Sequence, residues 1–536
     1  MPTKKLLSIT NLKKYFPVAK SSIFQREQLY VRANEDITLD IYEGETLGVV
    51  GESGCGKSTL GRVLLQLYSQ TAGATVYYGK TLDEMTPAYV ADTLKKLPKY
   101  RAAYRKAVAK VADLEKKMES AGGEEKADFY LHQNLNLARC EEQSALNNMV
   151  KIIGGFFAVE KEQEGISLLY EIYGLNRKKN ALISSLKSVK LSLSNLEEKE
   201  LEGTAKSKAA KKKEALNAKI GDLNDKIATV DGQINDKKQA LADVKKKYQG
   251  NAEFAKYEAM LDDGIDLARL QYSEMRLLRR ELQIIFQDPY SSLNPRFTIG
   301  QIIEEGLVTH NFYKHGSPKL HDHITQTMVK CGLQEYMLHR YPHQFSGGQR
   351  QRVAIARALA VQPRFVVCDE CVSALDVSIQ SQIINLLQEL KEKEKLTYMF
   401  ISHDLSVVRY ISDRICVMYL GNIVELADAK TVFEDPRHPY TVALLSSIPT
   451  TDMDSLKKER ILLEGNIPSP IKPPSGCKFH TRCYMACDKC KRVPPPLREI
   501  EPGHVVACHF PEKKIGENGE YLFEVDTEKK SARGEA

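Results

Sequence analysis

The sequence predicts an α/β nucleotide-binding fold that is interrupted by a long helical insert and followed by a small Cys-rich region. Three observations support this prediction. A Gly-rich loop of the form GxxxxGK[ST] follows a short apolar run at residues 51–58. Heptad spacing of apolar residues recurs within residues 92–268. Five of the eleven cysteines lie between residues 477 and 508.

The composition is that of an ordinary globular chain with a modest positive charge. The 536 residues allow several domains, and no run of eighteen apolar residues is present. The basic N-terminus is followed by only a short apolar patch, so we expect no signal peptide. The net charge is +7, with much of the excess in the Lys-rich stretch 181–250. That stretch is interpreted as a solvated helical surface, with nucleic-acid or anionic-lipid binding as the alternative.

Four segments follow from these shifts in composition. We predict the two parts of the nucleotide-binding domain at residues 1–91 and 269–430, the helical or coiled-coil insert at 92–268, and a C-terminal region ending in a flexible tail at 431–536. The insert would occupy a surface connection, where insertions are best tolerated.

Within the insert, the apolar seams predict helices that pack against one another. The seam from Leu216 to Tyr248 would form a rod of roughly 48 Å at 1.5 Å per residue. The segment Gly203–Lys213 lacks a seam and is predicted to be the turn of a helical hairpin. Residues 129–175 are more mixed and are predicted to be helical.

The phosphate loop follows the short, mostly apolar run Thr46–Val50, which suits a buried strand. Glycines let backbone N–H groups wrap phosphates, and the helix that follows adds a favourable dipole. Lys57 is expected to reach the β- and γ-phosphates, and Ser58 to ligate Mg²⁺. Tyr15 is expected to stack on adenine, with a core tyrosine as the alternative. The predicted ATP-binding residues are Tyr15, Gly51, Ser53, Gly54, Cys55, Gly56, Lys57, Ser58 and Thr59.

Two further apolar strands deliver polar side chains that suit phosphoryl chemistry. One ends in Asp369 and Glu370, which we predict to be a Mg²⁺ ligand and the general base. Another ends before His403, which could contact the γ-phosphate, although a lone histidine is more often structural. Gln287 carries a neutral amide that could reach the metal or the attacking water. The catalytic candidates are Glu370, His403 and Gln287, and the Mg²⁺ candidates are Ser58, Gln287 and Asp369.

A second signature, Phe345–Gln349 (FSGGQ), precedes the acidic pair, and the segment SALD ends at Asp376. With the phosphate loop, Gln287 and His403, these motifs resemble the ABC ATPase family. The resemblance implies a RecA-like core, an antiparallel β subdomain and a helical signature subdomain. It also implies a head-to-tail dimer and identifies Asp376 as the D-loop residue. The residues that would cap the γ-phosphate held by the partner's loop are Ser346, Gly347, Gly348 and Gln349.

Shorter segments narrow the resemblance to the oligopeptide/dipeptide importer ATPases. They are QDPYSSLNPR at 287–296, HPYT at 438–441, LEGNIPSP at 463–470, and GC at 476–477 followed by RC at 482–483. This resemblance implies that ATP hydrolysis powers peptide import from the cytoplasmic face of the cell membrane. It further implies a second, non-identical ATPase subunit, two transmembrane permeases and an extracellular peptide-binding protein. Two departures are the insert and Cys371, which follows Glu370 where Ala or Pro is common.

The C-terminal cysteines have the pattern Cys477-x5-Cys483-x6-Cys490-x17-Cys508. This pattern is similar to that of the same transporter family, which implies a [4Fe–4S] cluster. Spacing alone allows a Zn²⁺ site equally, and reduced thiols without metal remain a further alternative. Cys487 is an additional cysteine that could replace a ligand. We expect the bound metal to have a structural role, because small Pro-rich regions need a cross-link such as a metal site in order to fold.

A non-transport ABC ATPase with a coiled-coil arm acting on nucleic acid is the alternative function. In such proteins the glutamine loop precedes the coiled coil, whereas Gln287 follows the insert here. We therefore expect no nucleic-acid partner. The insert itself is either a passive embellishment or a docking rod for an unknown partner.

Overall fold

Two β-sheets organise the chain in the computed structural model. The structure describes residues 4–19, 28–123, 129–197, 203–448, 461–463 and 465–511. The predicted flexible tail lies outside the described residues from residue 512 onwards. The strands are β1 (Lys5–Pro17), β2 (Tyr30–Tyr42), β3 (Thr46–Val50), β4 (Ala72–Tyr77), β5 (Ile265–Asp266), β6 (Leu282–Ile285), β7 (Phe365–Asp369), β8 (Thr397–Ile401), β9 (Arg414–Tyr419), β10 (Asn422–Asp428), β11 (Arg498–Glu501) and β12 (His504–Val506).

The smaller sheet has four antiparallel strands in the order β2-β1-β4-β5. Strand β5 pairs with β4 through Val76↔Asp266 and Tyr77↔Ile265. This strand falls inside the span 92–268 that the sequence assigns to the insert. The sequence could not reveal it, because two residues carry no readable alternation of apolar and polar side chains.

The larger sheet has eight strands in the order β11-β12-β10-β9-β3-β8-β7-β6. Its centre, β9-β3-β8-β7-β6, is parallel, and β3, β7 and β8 are buried along their whole length. Continuous apolar runs of this kind are typical of parallel strands that are covered on both faces. Strands β10, β12 and β11 extend the sheet in antiparallel fashion. The Cys-rich region therefore contributes strands to the larger sheet.

Eighteen α-helices are present in the described part of the chain. They are α1 (Lys57–Leu64), α2 (Leu82–Met85), α3 (Ala88–Lys95), α4 (Leu97–Ser120), α5 (Phe129–Ile153), α6 (Glu164–Glu197), α7 (Gly203–Lys246), α8 (Ala252–Glu258), α9 (Tyr272–Leu278), α10 (Pro289–Ser292), α11 (Ile299–Thr309), α12 (Pro318–Lys330), α13 (Gly347–Ala360), α14 (Val377–Glu394), α15 (Leu405–Ile411), α16 (Ala429–Glu434), α17 (Pro439–Ser446) and α18 (Asp488–Arg492).

The insert contains an antiparallel helical hairpin formed by α6 and α7. Ion pairs cross the hairpin at both of its ends, between Lys213 and Glu197 at 2.7 Å and between Lys237 and Glu171 at 2.6 Å. The turn predicted at Gly203–Lys213 is wrong, because α7 already begins at Gly203. Ala and Lys favour helix, so the missing apolar seam did not indicate a break in the helix.

The insert has its own apolar core, and the chain enters and leaves it at neighbouring residues. Met149, Phe156 and Phe254 are buried in this core. At its base, the backbone N–H of Leu82 donates to the carbonyl oxygen of Asp263 at 2.8 Å. The chain therefore enters and leaves the helical region side by side.

None of the helices described by the structure combines the length and the apolar character needed to cross a bilayer.

Candidate active site

The phosphate loop connects the buried strand β3 to helix α1, as predicted. Gly51 and Gly56 have φ of +147° and +100°, in the region that disfavours side chains. A Cβ at Gly51 would lie 2.2 Å from the carbonyl oxygen of Met418, and one at Gly56 would lie 2.0 Å from that of Ala33. Glycine is therefore required at both positions for the loop to pack against its neighbours.

Lys57 is folded back into the phosphate loop. Its Nζ donates to the carbonyl oxygens of Gly51 at 2.7 Å and Glu52 at 3.1 Å, and the residue is only 5% exposed. The loop thus surrounds a buried ammonium group, which is the charge that a bound phosphate requires.

Ser58 and Asp369 meet although they lie far apart in the sequence. The Ser58 hydroxyl donates to Asp369 Oδ1 at 2.5 Å, and Arg62 Nη2 lies 3.2 Å from Oδ2. Strand β7 carries Asp369 to the edge where the phosphate loop begins, and the carboxylate is nearly fully buried. A hydroxyl and a carboxylate at this separation form a suitable pair of oxygen ligands for Mg²⁺.

The three catalytic candidates converge on one carboxylate. Gln287 Nε2 donates to Glu370 Oε2 at 3.0 Å, and His403 Nδ1 lies 3.5 Å from the same oxygen. They follow β6, β7 and β8, which are adjacent and parallel, so their carboxyl ends share one edge. Ligands of open α/β sheets bind at such an edge. The contacts place Gln287 beside Glu370 and not beside the Ser58–Asp369 pair.

The signature begins helix α13. Ser346 is its N-cap and forms a capping box with Gln349, in which Ser346 Oγ accepts from the Gln349 N–H at 3.4 Å. Ser346 and Gly347 are exposed. Among the described residues, no hydrogen bond joins this segment to the phosphate loop of the same chain. Asp376 is the N-cap residue of α14 and follows the signature in the chain.

Tyr15 is nearly enclosed and does not present a free ring in this structure. It is 6% exposed, and its hydroxyl donates to Glu35 Oε1 at 2.6 Å. Burial opposes ionisation of Glu35, but Lys478 and Lys13 outweigh it and hold the pKa of Glu35 down to about 2. This environment agrees with the alternative of a core tyrosine, and adenine stacking stays a prediction.

The four predicted cysteine ligands, Cys477, Cys483, Cys490 and Cys508, line one small cavity. The additional thiol of Cys487 lies 3.7 Å from that of Cys490. Within the described residues, no group of three potential ligands is arranged to hold a metal ion. The four thiols are therefore suitable ligands for a metal that binds four thiolates. In this structure, however, their sulfur atoms are not arranged around a common metal position.

Two family models match the chain. The ABC transporter model matches residues 34–155 and 239–373, and the model of the oligopeptide/dipeptide transporter C-terminal region matches residues 424–490. The gap in the first match falls within the helical insert.

Individual relatives match just under half of the chain. The oligopeptide transport ATP-binding protein AppF of Bacillus subtilis (strain 168) is 51% identical over 253 residues, covering 47% of this chain and 76% of the relative. The protein YkfD of the same strain is 52% identical over 248 residues, covering 46% of this chain and 75% of the relative.

The chain belongs to the ABC transporter ATPase family.

Solved ABC proteins are also similar to this ABC ATPase. CbiO1 from Clostridium perfringens covers 81% of this chain and 92% of its own, at 15% identity and a TM-score of 0.39. The dimeric ABC transporter cassette MJ0796 covers 79% of this chain and 99% of its own, at 16% identity and a TM-score of 0.39.

Sequence reasoning assigned no role to two charged residues of this ABC ATPase, although Arg482 belongs to a segment that carries the family resemblance. Glu52 lies within the phosphate loop, and Arg482 lies between two of the cysteines; the two form a bidentate ion pair. The phosphate-loop motif accepts any residue at position 52. The cysteine pattern specifies only the cysteines and leaves the residues between them, including Arg482, undefined. The presence of the acidic residue Glu52 in a loop that binds anions could have indicated that a basic residue pairs with it.

Proposed function

We propose that this ABC ATPase hydrolyses ATP to power the import of oligopeptides or dipeptides through a membrane transporter. The observation that carries the proposal is the 51% identity to an oligopeptide transport ATP-binding protein over 76% of that relative. The match to the oligopeptide/dipeptide transporter C-terminal region supports it independently. The comparisons do not favour the alternative of a nucleic-acid ATPase.

In the proposed site, the phosphate loop and Lys57 bind the β- and γ-phosphates. Ser58 and Asp369 would hold Mg²⁺, which supplies positive charge that offsets charge on the phosphates when it is bound. Gln287 is kept as a further ligand candidate, although its amide contacts Glu370 here. Tyr15 and Thr59 complete the proposed nucleotide contacts.

Glu370 would accept a proton from the attacking water as the bond between the β-phosphate bridge oxygen and the γ-phosphorus breaks. Its carboxylate is 16% exposed and is held by Gln287 and His403, which therefore orient the base. The signature Ser346–Gln349, whose Ser346 and Gly347 are exposed, would act with Asp376 on the ATP held by a second ATPase domain. This arrangement explains why the signature lies apart from its own phosphate loop.

We further propose the assembly that this activity requires. A second, non-identical ATPase, two permeases and an extracellular peptide-binding protein would complete the transporter. The chain would lie at the cytoplasmic face of the membrane, and no nucleic acid would take part.

We propose that the ATPase domain comprises residues 1–91 and 269–430 together with β5. Residues 431–536 would form the transporter C-terminal region. Within the insert, the hairpin of α6 and α7 would be a coiled coil. Val189, Leu223 and Val230 are buried in the hairpin, and ion pairs flank them, which supports coiled-coil packing. The insert would dock a partner if it is not passive.

A structural [4Fe–4S] cluster is proposed for the four cysteines that line the cavity, with Zn²⁺ as the alternative. When bound, either metal would cross-link the C-terminal region through thiolates. Elemental analysis of the anaerobically purified chain tests this. Iron with sulfide supports the cluster and stoichiometric zinc supports the alternative, whereas absence of both from the full chain would refute a metal site.

Affinity purification of the tagged chain from native membranes in mild detergent tests the proposed function. Mass spectrometry should identify two permeases, a second ATPase and a peptide-binding protein. Recovery of DNA-associated proteins without permeases would contradict it.

A further inference from the structure

The Cys-rich region contacts the phosphate loop through a partly buried ion pair. Arg482 Nη1 lies 2.7 Å from Glu52 Oε2, and Arg482 Nη2 lies 3.0 Å from Glu52 Oε1. The Arg482 side chain is 7% exposed, and that of Glu52 is 23% exposed. A planar guanidinium that binds both carboxylate oxygens fixes direction as well as distance, because its donors form a rigid fork.

The backbone of Glu52 is held from the same side. Its N–H donates to the hydroxyl of Tyr440 at 2.9 Å. Tyr440 packs with Tyr419 and Phe479, with ring centroids 4.8 to 5.3 Å apart. All three rings are fully buried. Glu52 is therefore anchored by both its backbone and its side chain to residues C-terminal to the catalytic motifs.

A second cation of the Cys-rich segment contacts Glu35, which is the hydrogen-bond partner of Tyr15. Lys478 Nζ lies 3.4 Å from Glu35 Oε2 and donates to the Leu420 carbonyl oxygen at 3.1 Å. Glu35 in turn accepts from the hydroxyl of Tyr15. Two cations, each adjacent to a cysteine, thus reach the two segments predicted to bind phosphate and adenine.

We infer that the Cys-rich segment holds the phosphate loop in its ATP-binding conformation, with Arg482 as a positioning residue that acts through Glu52. The carboxylate of Glu52 adds negative charge to a loop that must receive an anion, and its pairing with Arg482 both offsets this charge and turns it away from the phosphates. The inference rests on the family assignment only for the identity of the nucleotide. Because Arg482 adjoins Cys483, the packing of the cysteine cavity is transmitted directly to the loop.

The test is a double-mutant cycle on ATP affinity in the full-length chain. Binding of a fluorescent ATP analogue with Mg²⁺ is titrated for the parent, Arg482→Ala, Glu52→Gln and the double variant. Arg482→Ala should weaken binding by about tenfold, because it leaves a partly buried carboxylate unpaired beside the phosphates. The double variant should bind no more weakly than Arg482→Ala, since the interaction is then already lost.

Two control variants and one kinetic measurement distinguish positioning of the loop from a merely structural effect. Lys491→Ala removes an exposed cation of the same segment, which pairs with Asp488 at 2.8 Å, and should leave affinity unchanged. Arg482→Lys should recover part of the affinity, because one charge remains without the fork. In the assembled transporter, the KM for ATP should rise in Arg482→Ala while kcat stays within about twofold, whereas partial unfolding would lower kcat instead.

Parent-like affinity in both single variants would overturn the inference, as would independent, additive losses in the double variant. If Arg482→Ala does not fold, Glu52→Gln and Arg482→Lys decide the outcome. Unchanged affinity in those two variants would overturn it equally.

Discussion

Glu370 has a left-handed backbone conformation, with φ of +48°, at the point where β7 ends. Non-glycine residues adopt this conformation at a cost, and such positions cluster at functional sites. Its N–H donates to the Ile401 carbonyl oxygen at 3.0 Å, which holds the turn, and its carboxylate then meets Gln287 and His403. The backbone therefore aims the proposed base at the edge of the sheet where the phosphate loop lies.

Glu370→Gln should abolish turnover and keep ATP binding. The amide matches the carboxylate in shape but cannot accept the proton, so hydrolysis should fall by about 10²- to 10⁴-fold. Phosphate release by the assembled ATPase measures turnover, and a fluorescent ATP analogue measures affinity. Glu389→Gln, at an exposed ion pair with Lys393, is the matched control and should behave as the parent. Hydrolysis at the parent rate in Glu370→Gln would remove Glu370 from the role of base.

At the scale of elements, the segment HPYT acquires a physical explanation. His438 is the N-cap of α17, and its Nδ1 accepts from the Tyr440 N–H at 3.1 Å. Pro439 occupies the first helical position, where its missing N–H costs nothing. Tyr440 then reaches the phosphate loop through its hydroxyl. A short motif thus caps a helix and supports the nucleotide site at the same time.

The stability of this element should depend on pH through His438. Burial lowers the pKa of His438 from 6.5 to about 4, so the unfolded chain binds the proton first as the pH falls. The stabilisation is fully present above pH 6.5 and is lost towards pH 4, by up to about 3 kcal/mol. His438→Asn keeps a capping side chain that does not titrate.

Scanning calorimetry of the full chain across pH 7 to 4.5 checks this dependence. The melting temperature of the C-terminal region should fall more steeply in the parent than in His438→Asn. Parallel pH profiles in the two proteins would contradict the assignment.

At the scale of the whole molecule, local motifs could be predicted from the sequence, whereas contacts between residues far apart in the chain could not. The phosphate loop, Asp369, Glu370 and His403 were predictable because each follows an apolar strand, and parallel order brings strand ends together. The Glu52–Arg482 pair spans 430 residues, so no local pattern reports it. Strand β5 was missed because it is only two residues long. The turn within the hairpin was misplaced because solvent-exposed helix lacks an apolar seam.

Removal of the insert should leave a folded ATPase. Residues 83–262 are replaced by two glycines, since Leu82 and Asp263 are already hydrogen-bonded neighbours. This span includes residues 83–91 of the ATPase segment predicted from the sequence, because Tyr89 and Val90 pack in the apolar core of the insert. ATP affinity should stay within about threefold of the parent, because inserted domains with their own core are dispensable for the host fold. Loss of peptide import with intact ATP binding would indicate that the insert docks a partner. Loss of ATP binding in a chain that still folds would contradict an independent insert.

The central claim is that hydrolysis at this site powers peptide uptake, and uptake by the native cells tests it most directly. The chromosomal copy is replaced by Glu370→Gln or by the control Glu389→Gln, and entry of a labelled mixture of short peptides is followed. The account predicts that uptake is lost with Glu370→Gln and kept with Glu389→Gln, at equal protein levels. Uptake at the parent rate with Glu370→Gln would contradict the claim that this chain energises peptide import.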